Sequence, residues 1–116
     1  MDDKSLESIG KAVLGVMLSD NSEMSRILTA QMEHVMLRTQ DQSPVGWFTH
    51  FDVIGEIVVL PGRENFHISA DATVADMRMG IGFVLFVVEG KLDMLEAFTY
   101  DEELPSEIKI LSIKML

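Results

Sequence analysis

Apolar residues recur every three to four positions in the first third of the chain and every second position over most of the rest. That change of period predicts two helices followed by a β-sheet. Leu6, Ile9, Val13, Leu14, Val16 and Met17 mark one helical stripe, over about residues 4–18. Gly10 and Gly15 interrupt it. Each weakens a helix by roughly 1 kcal/mol relative to Ala, and each leaves room for another element to come close. Asp20-Asn21-Ser22-Glu23 has the spacing of a capping box, with Asp20 accepting from the Glu23 amide and Glu23 reaching back. A second helix is expected over about 22–38, with Met24, Ile27, Leu28, Met32, Val35 and Met36 inward and Gln31, Glu33 and Arg38 toward water. Residues 39–44 read as a polar break, since Pro44 biases Ser43 away from the helical region.

Beyond Pro44 the period becomes two. A strand over 46–54 puts Trp47, Thr49, Phe51 and Val53 on one face and Phe48, His50, Asp52 and Ile54 on the other. Over 66–74, Phe66, Ile68, Ala70, Ala72 and Val74 alternate with polar neighbours, as in a half-buried strand. Between them, Ile57-Val58-Val59-Leu60 fits either a short strand or a loop packed under the sheet, and Pro61-Gly62 marks a turn. A strand is expected over 82–88, and its positions Phe83 to Val88 are apolar without a break, which predicts a central strand covered on both faces. Glu89-Gly90 then turns the chain, most simply with positive φ at both residues, into a returning strand over 91–100. A regular ladder from that turn pairs Val88 with Lys91, Leu85 with Met94 and Phe83 with Glu96. A last strand over 107–115 carries Lys109 and Lys114, charges suited to a sheet edge. The expectation is a single α+β domain over 1–116, with two N-terminal helices packed on one face of a four- to five-stranded antiparallel meander.

Composition narrows the function classes. With 19 acidic against 9 basic residues the net charge is −10, a field that repels phosphate backbones and anionic membranes and attracts a basic partner. Nucleic acid and membrane are therefore not expected partners, and the plain alternative reading of the charge is solubility. No cysteine is present, so disulfide and thiolate chemistry are excluded. The opening Met1-Asp2-Asp3-Lys4-Ser5 is acidic and unlike a signal peptide, and no apolar run approaches the roughly 20 residues of a membrane helix. A cytoplasmic protein is expected.

Candidate chemistry is sparse. His34, His50 and His67 have no metal-ligand spacing, and no cofactor is implied. His50 and Asp52 share a strand face and would suit a base with its orienting carboxylate, but no nucleophile lies near in sequence, so a polar pair at a strand end is the simpler account. His67, Ser69, Asp71 and Thr73 hold the letters of a triad at a spacing of about 7 Å, too far for direct hydrogen bonds. Gly80-Ile81-Gly82 lacks the third glycine of a dinucleotide loop and precedes a strand. Glu96 interrupts an otherwise apolar hairpin. If buried it must be paired, protonated or at a binding site; otherwise it is a water-facing position. With Asp93, Tyr100, Asp101, Glu102 and Glu103 it forms an acidic stretch.

The run from Gly80 through Phe83-Val84-Leu85-Phe86-Val87-Val88-Glu89-Gly90 to Leu95-Glu96-Ala97-Phe98-Thr99-Tyr100, with Gly46-Trp47-Phe48-Thr49-His50-Phe51 before it, resembles a pattern of small bacterial α+β proteins without established activity. The resemblance spans the C-terminal two-thirds, implies a helix-plus-antiparallel-sheet domain, and brings no functional residue. By analogy of size, charge and shape, some such acidic domains are immunity proteins that neutralise a toxin. Two functions are expected from the charge, the absence of a catalytic constellation and the position of Glu96. One is a non-catalytic interaction domain for a basic protein, an immunity-type inhibitor being one form of it. The other is a small-molecule binder or enzyme with a pocket between helices and sheet, near Trp47, His50, His67, Glu96 and Tyr100. A homodimer through the edge strand 107–115 is compatible with either, and catalysis is the less favoured reading.

Overall fold

The computed structural model describes residues 1–116. Helices α1 (Asp3–Met17) and α2 (Glu23–Gln31) are followed by strands β1 (Val35–Ser43), β2 (Gly46–Val53), β3 (Phe66–Val74), β4 (Ile81–Val88), β5 (Lys91–Thr99) and β6 (Ile110–Met115). The class is α+β, and every strand pairing is antiparallel. The sheet has six strands instead of the expected four or five, in the order β1-β2-β5-β4-β3-β6. Only β3, β4 and β5 form a meander. The β1–β2 hairpin docks on β5, and β6 crosses back to pair with β3 at the far edge.

The helices start on side-chain caps. Asp2 accepts from the Ser5 amide at 2.7 Å and Ser22 from the Ser25 amide at 3.1 Å. The second cap falls two residues after the expected Asp20, which instead accepts from the Ser22 amide and hydroxyl and shapes the turn before α2. The expected helix to residue 38 stops at Gln31, passes through a short 3-10 turn (Met32–His34), and becomes β1 where a helix end and a polar break were expected. Tertiary pairing decides this. As a strand, Val35 and Leu37 pair with Val53 and Phe51 and pack against the core, whereas a longer helix would leave β2 as an unpaired edge. Gln31, expected in water, is 1% exposed. Its amide nitrogen donates to the carbonyls of Val58 (2.8 Å) and Gly90 (3.0 Å), and its oxygen accepts from the Leu92 amide (2.9 Å). One side chain thus ties the end of α2 to the β4–β5 turn and to the 55–65 segment. That segment is the loop alternative, with a short 3-10 turn at Pro61–Arg63 and Leu60 in the core.

Alternate positions of the central strands point into one core. Trp47, Thr49 and Phe51 do so from β2, Phe83, Leu85 and Val87 from β4, and Leu95 and Ala97 from β5, with Leu6, Val13, Leu14, Met17 and Leu28 from the helices. Trp47 meets Phe83 edge to face at 6.1 Å between centroids. The β4–β5 turn has the expected positive φ at Glu89 and Gly90 (51° and 75°). The ladder beyond it is not regular. Val88 pairs with Lys91 and Val87 with Leu92, but Phe86 pairs with Met94, so Asp93 is an extra residue opposite nothing. Leu85 therefore faces Leu95 and Phe83 faces Ala97, correcting the pairings with Met94 and Glu96, and Glu96 lies opposite Val84. The second face of β4 is not covered as expected: Val84 and Phe86 remain half-buried and Val88 is exposed.

Candidate functional site

Two rows of side chains cross the open face of the sheet. Strand register aligns Gln40, Phe48, Glu96, Val84 and Ser69 in one row, and Arg38, His50, Met94, Phe86 and His67 in the next. At about 4.8 Å per strand the rows run roughly 20 Å. In a third row, Phe98 lies opposite Gly82, Gly82 opposite Asp71, and Asp71 opposite Lys114. Antiparallel sheets with one solvated face normally make that face polar. This one carries Phe48, Val84, Phe86, Met94 and Phe98, each half-buried by its neighbours and each open to solvent on its outer side.

Gly82 shapes the third row. A Cβ there would lie 2.6 Å from the Tyr100 hydroxyl and 2.7 Å from Phe98 Cε2, so the absent side chain is what lets both rings lie over β4. The rings meet edge to face at 5.2 Å, and Tyr100 reaches across β4 to donate a 2.5 Å hydrogen bond to Asp71 Oδ1 on β3. That hydrogen bond to a carboxylate, with partial burial, pushes the Tyr100 hydroxyl up to about 12. Aromatic cover of a strand glycine is a recognised way to hold a weak point of a sheet.

The remaining polar groups divide into engaged and free. Arg38 Nε donates to Asp52 Oδ2 at 3.0 Å, holding the Asp52 carboxyl below its ordinary range. Asp52 is thereby committed to Arg38 instead of orienting His50. Glu102 accepts from the amides of Arg78 (3.0 Å) and Met79 (2.6 Å), which lower its pKa. Glu96 makes no hydrogen bond or ion pair within the chain, although it sits half-buried between Phe48 and Val84.

Of the residues singled out in the sequence, His50, His67, Glu96 and Tyr100 gather on the open face, with the Asp93 bulge beside them on β5. His67 packs near Phe86 at 6.2 Å between ring centroids. Trp47 is separated from them, 2% exposed in the core. Asp101 and Glu103 are exposed just past β5, while Glu102 turns back onto the 78–79 loop. Gly82, Phe48, Phe86 and Phe98 complete the surface but drew no functional reading from sequence. The signal was available in the aromatic residues at the polar positions of β2 and β5, spaced two apart. The clefts lie elsewhere. One of about 180 Å³ beside Trp47 is lined by Met1, Leu6, Gln42, Leu104, Pro105 and Ile108. None is lined by His50, His67, Glu96 or Tyr100. No three His, Asp or Glu side chains converge to hold a metal ion, and no helix is long and apolar enough to cross a membrane. In comparisons with known proteins, no family model, no curated protein and no solved structure matches the chain.

Proposed function

We propose that this protein is a non-catalytic interaction domain that binds a basic protein through the open face of its sheet. One observation carries the reading: a strand face that would ordinarily be polar presents Phe48, Val84, Phe86, Met94 and Phe98 beside a carboxylate that has no partner in the chain. Adjacent apolar side chains left partly open to solvent on one face of a small domain are the kind of surface that marks interaction sites. The charge of −10 favours a basic partner and opposes a second copy of the chain. Asp93, Asp101 and Glu103 add an acidic rim to an apolar centre, the usual anatomy of an interface with charge steering. Inhibition of a basic toxin, as by an immunity protein, is the specific form this reading takes, with the cytoplasm as its setting.

The test is capture by the tagged protein from native lysate at low and moderate salt, identification of what is retained, and reconstitution with the purified partner. The expected result is a basic protein bound at one-to-one stoichiometry, released by salt, and lost with Phe86→Ser while circular dichroism shows the fold retained. A partner that is acidic, or that binds Phe86→Ser as well as wild type, would overturn the proposal.

A further inference from the structure

The centre of the open face is more specific than an apolar patch. Glu96 has Phe48 and Val84 as its direct cross-strand neighbours, and Met94 and Phe98 precede and follow it on the same face of β5. All four are half-buried, so the carboxylate is fenced by apolar and aromatic groups and open only outward. A carboxylate in such surroundings gives up part of its hydration without gaining a partner, and it gains most from a cation delivered from outside. The fence selects the cation. An ammonium is compact and strongly hydrated, and entering between two phenyl rings would strip its water. A guanidinium is weakly hydrated, stacks flat on aromatic rings and meets a carboxylate with two parallel N–H donors. Of the basic groups on this face, Arg38 is held by Asp52, Lys114 lies three strands away on β6, and neither Lys91 nor the diagonal neighbour His50 makes an ion pair with Glu96. A second copy of the chain seated face to face would bring one Glu96 against the other.

Resting on the reading of this face as the partner surface, we propose that Glu96 is the receptor for one arginine of the partner, its guanidinium paired with the carboxylate and stacked against Phe48 or Phe98. The arginine stands within a short apolar segment, whose neighbouring side chains cover Val84, Met94 and Phe86.

The assay is a titration of the isotope-labelled protein, followed by amide chemical shifts, with three blocked tripeptides: Leu-Arg-Phe, Leu-Lys-Phe and Leu-citrulline-Phe. Citrulline keeps the shape of arginine and removes its charge. The arginine peptide is expected to shift the amides of Phe48, Val84 and Glu96, and to bind about three- to tenfold more tightly than the other two. Glu96→Gln should erase that preference, and Glu33→Gln, an equal charge change at an exposed position away from the sheet, should keep it. Shifts on this face that are equal for arginine and citrulline, or unchanged by Glu96→Gln, would overturn the arginine receptor and leave the apolar interface standing. An absence of shifts on the face with all three peptides would overturn both. Broadening of the same amides with protein concentration alone would assign the face to a second copy, against the proposal.

Discussion

Replacing Gly82 by Ala tests how the open face is built. The new methyl would sit 2.6 Å from the Tyr100 hydroxyl and 2.7 Å from Phe98 Cε2, about 1 Å inside normal contact, and both rings must lift or the strand must bend. Overpacking of this kind costs about 1–3 kcal/mol. If the rings lift, their edge-to-face pairing, worth about 0.5–1.5 kcal/mol, is weakened, and so is the hydrogen bond from Tyr100 to Asp71. Against this stands about 0.5–1 kcal/mol gained by removing a glycine from a strand. The net is a loss of about 1–3 kcal/mol, or roughly 4–12 °C in Tm for a chain of this size. Tyr100 is the sole tyrosine, so tyrosinate absorbance reports it alone. In the wild type its pKa is raised from 10.0 to about 12. The contribution of the Tyr100–Asp71 pair to stability is thus fully present below pH 10.0 and is lost as pH rises toward about 12. Gly82→Ala should return the titration toward the ordinary value and flatten that alkaline loss. If the variant melts with wild type and Tyr100 still titrates near 12, the rings do not depend on Gly82 and the account of this face fails.

Gln31→Leu should cost about 1–3 kcal/mol by denaturant titration, because it leaves the buried Leu92 amide without a partner and the half-buried Val58 carbonyl without its donor; a loss below about 0.5 kcal/mol would mean water replaces it. Leu85→Ala, at a position with 0% exposure, should cost about 2–5 kcal/mol in the same assay. Gly10→Ala should stabilise by about 0.5–1 kcal/mol, since its methyl would stand 3.7 Å from Leu95 Cδ2 and Thr49 Oγ1, ordinary contact distances; a lower Tm would show that α1 packs more tightly than that. Glu102 has a depressed pKa, so its contribution is present above the ordinary carboxyl value of 4.5 and is lost as pH falls through the lower folded value. Glu102→Gln should therefore flatten the acid limb of the stability profile, and an unchanged limb would show that the Arg78 and Met79 amides do not hold it.

The sequence was most legible where one physical constraint acts alone. The core faces of β2 as far as Phe51 and of β3 follow from alternation, while Val53, expected on the core face, is exposed where β2 ends. The Glu89-Gly90 turn follows from local stereochemistry. Legibility failed where a long-range partner decided the outcome. Met32, Val35 and Met36 satisfy a helical spacing, and Val35 and Leu37 equally satisfy a strand; only the unpaired edge of β2 breaks the tie. The crossing of β6 to β3 has no local signal, and neither does the burial of Gln31, whose three bonds go to residues 27, 59 and 61 positions away. On the open face, His50, His67, Glu96 and Tyr100 were all visible as unusual residues, but their convergence depends on the strand order and on the register of β5.

That register turns on a single residue. Counted evenly from the Glu89-Gly90 turn, Glu96 falls opposite Phe83, which is 0% exposed, and the sheet would carry an unpaired carboxylate into its core while Leu95 and Ala97 faced water. An isolated buried charge costs several kcal/mol, far more than the one unpaired position of a bulge. Taking Asp93 out of the ladder moves every later residue of β5 by one place. Leu95 then meets Leu85, Ala97 meets Phe83, and Glu96 comes out between Phe48 and Val84. The same step puts Phe98 over Gly82, from where Tyr100 reaches Asp71. Core packing and surface composition are therefore one decision in this fold. The bulge that lets the interior close is also what assembles the aromatic rows around an unpaired carboxylate on the opposite side.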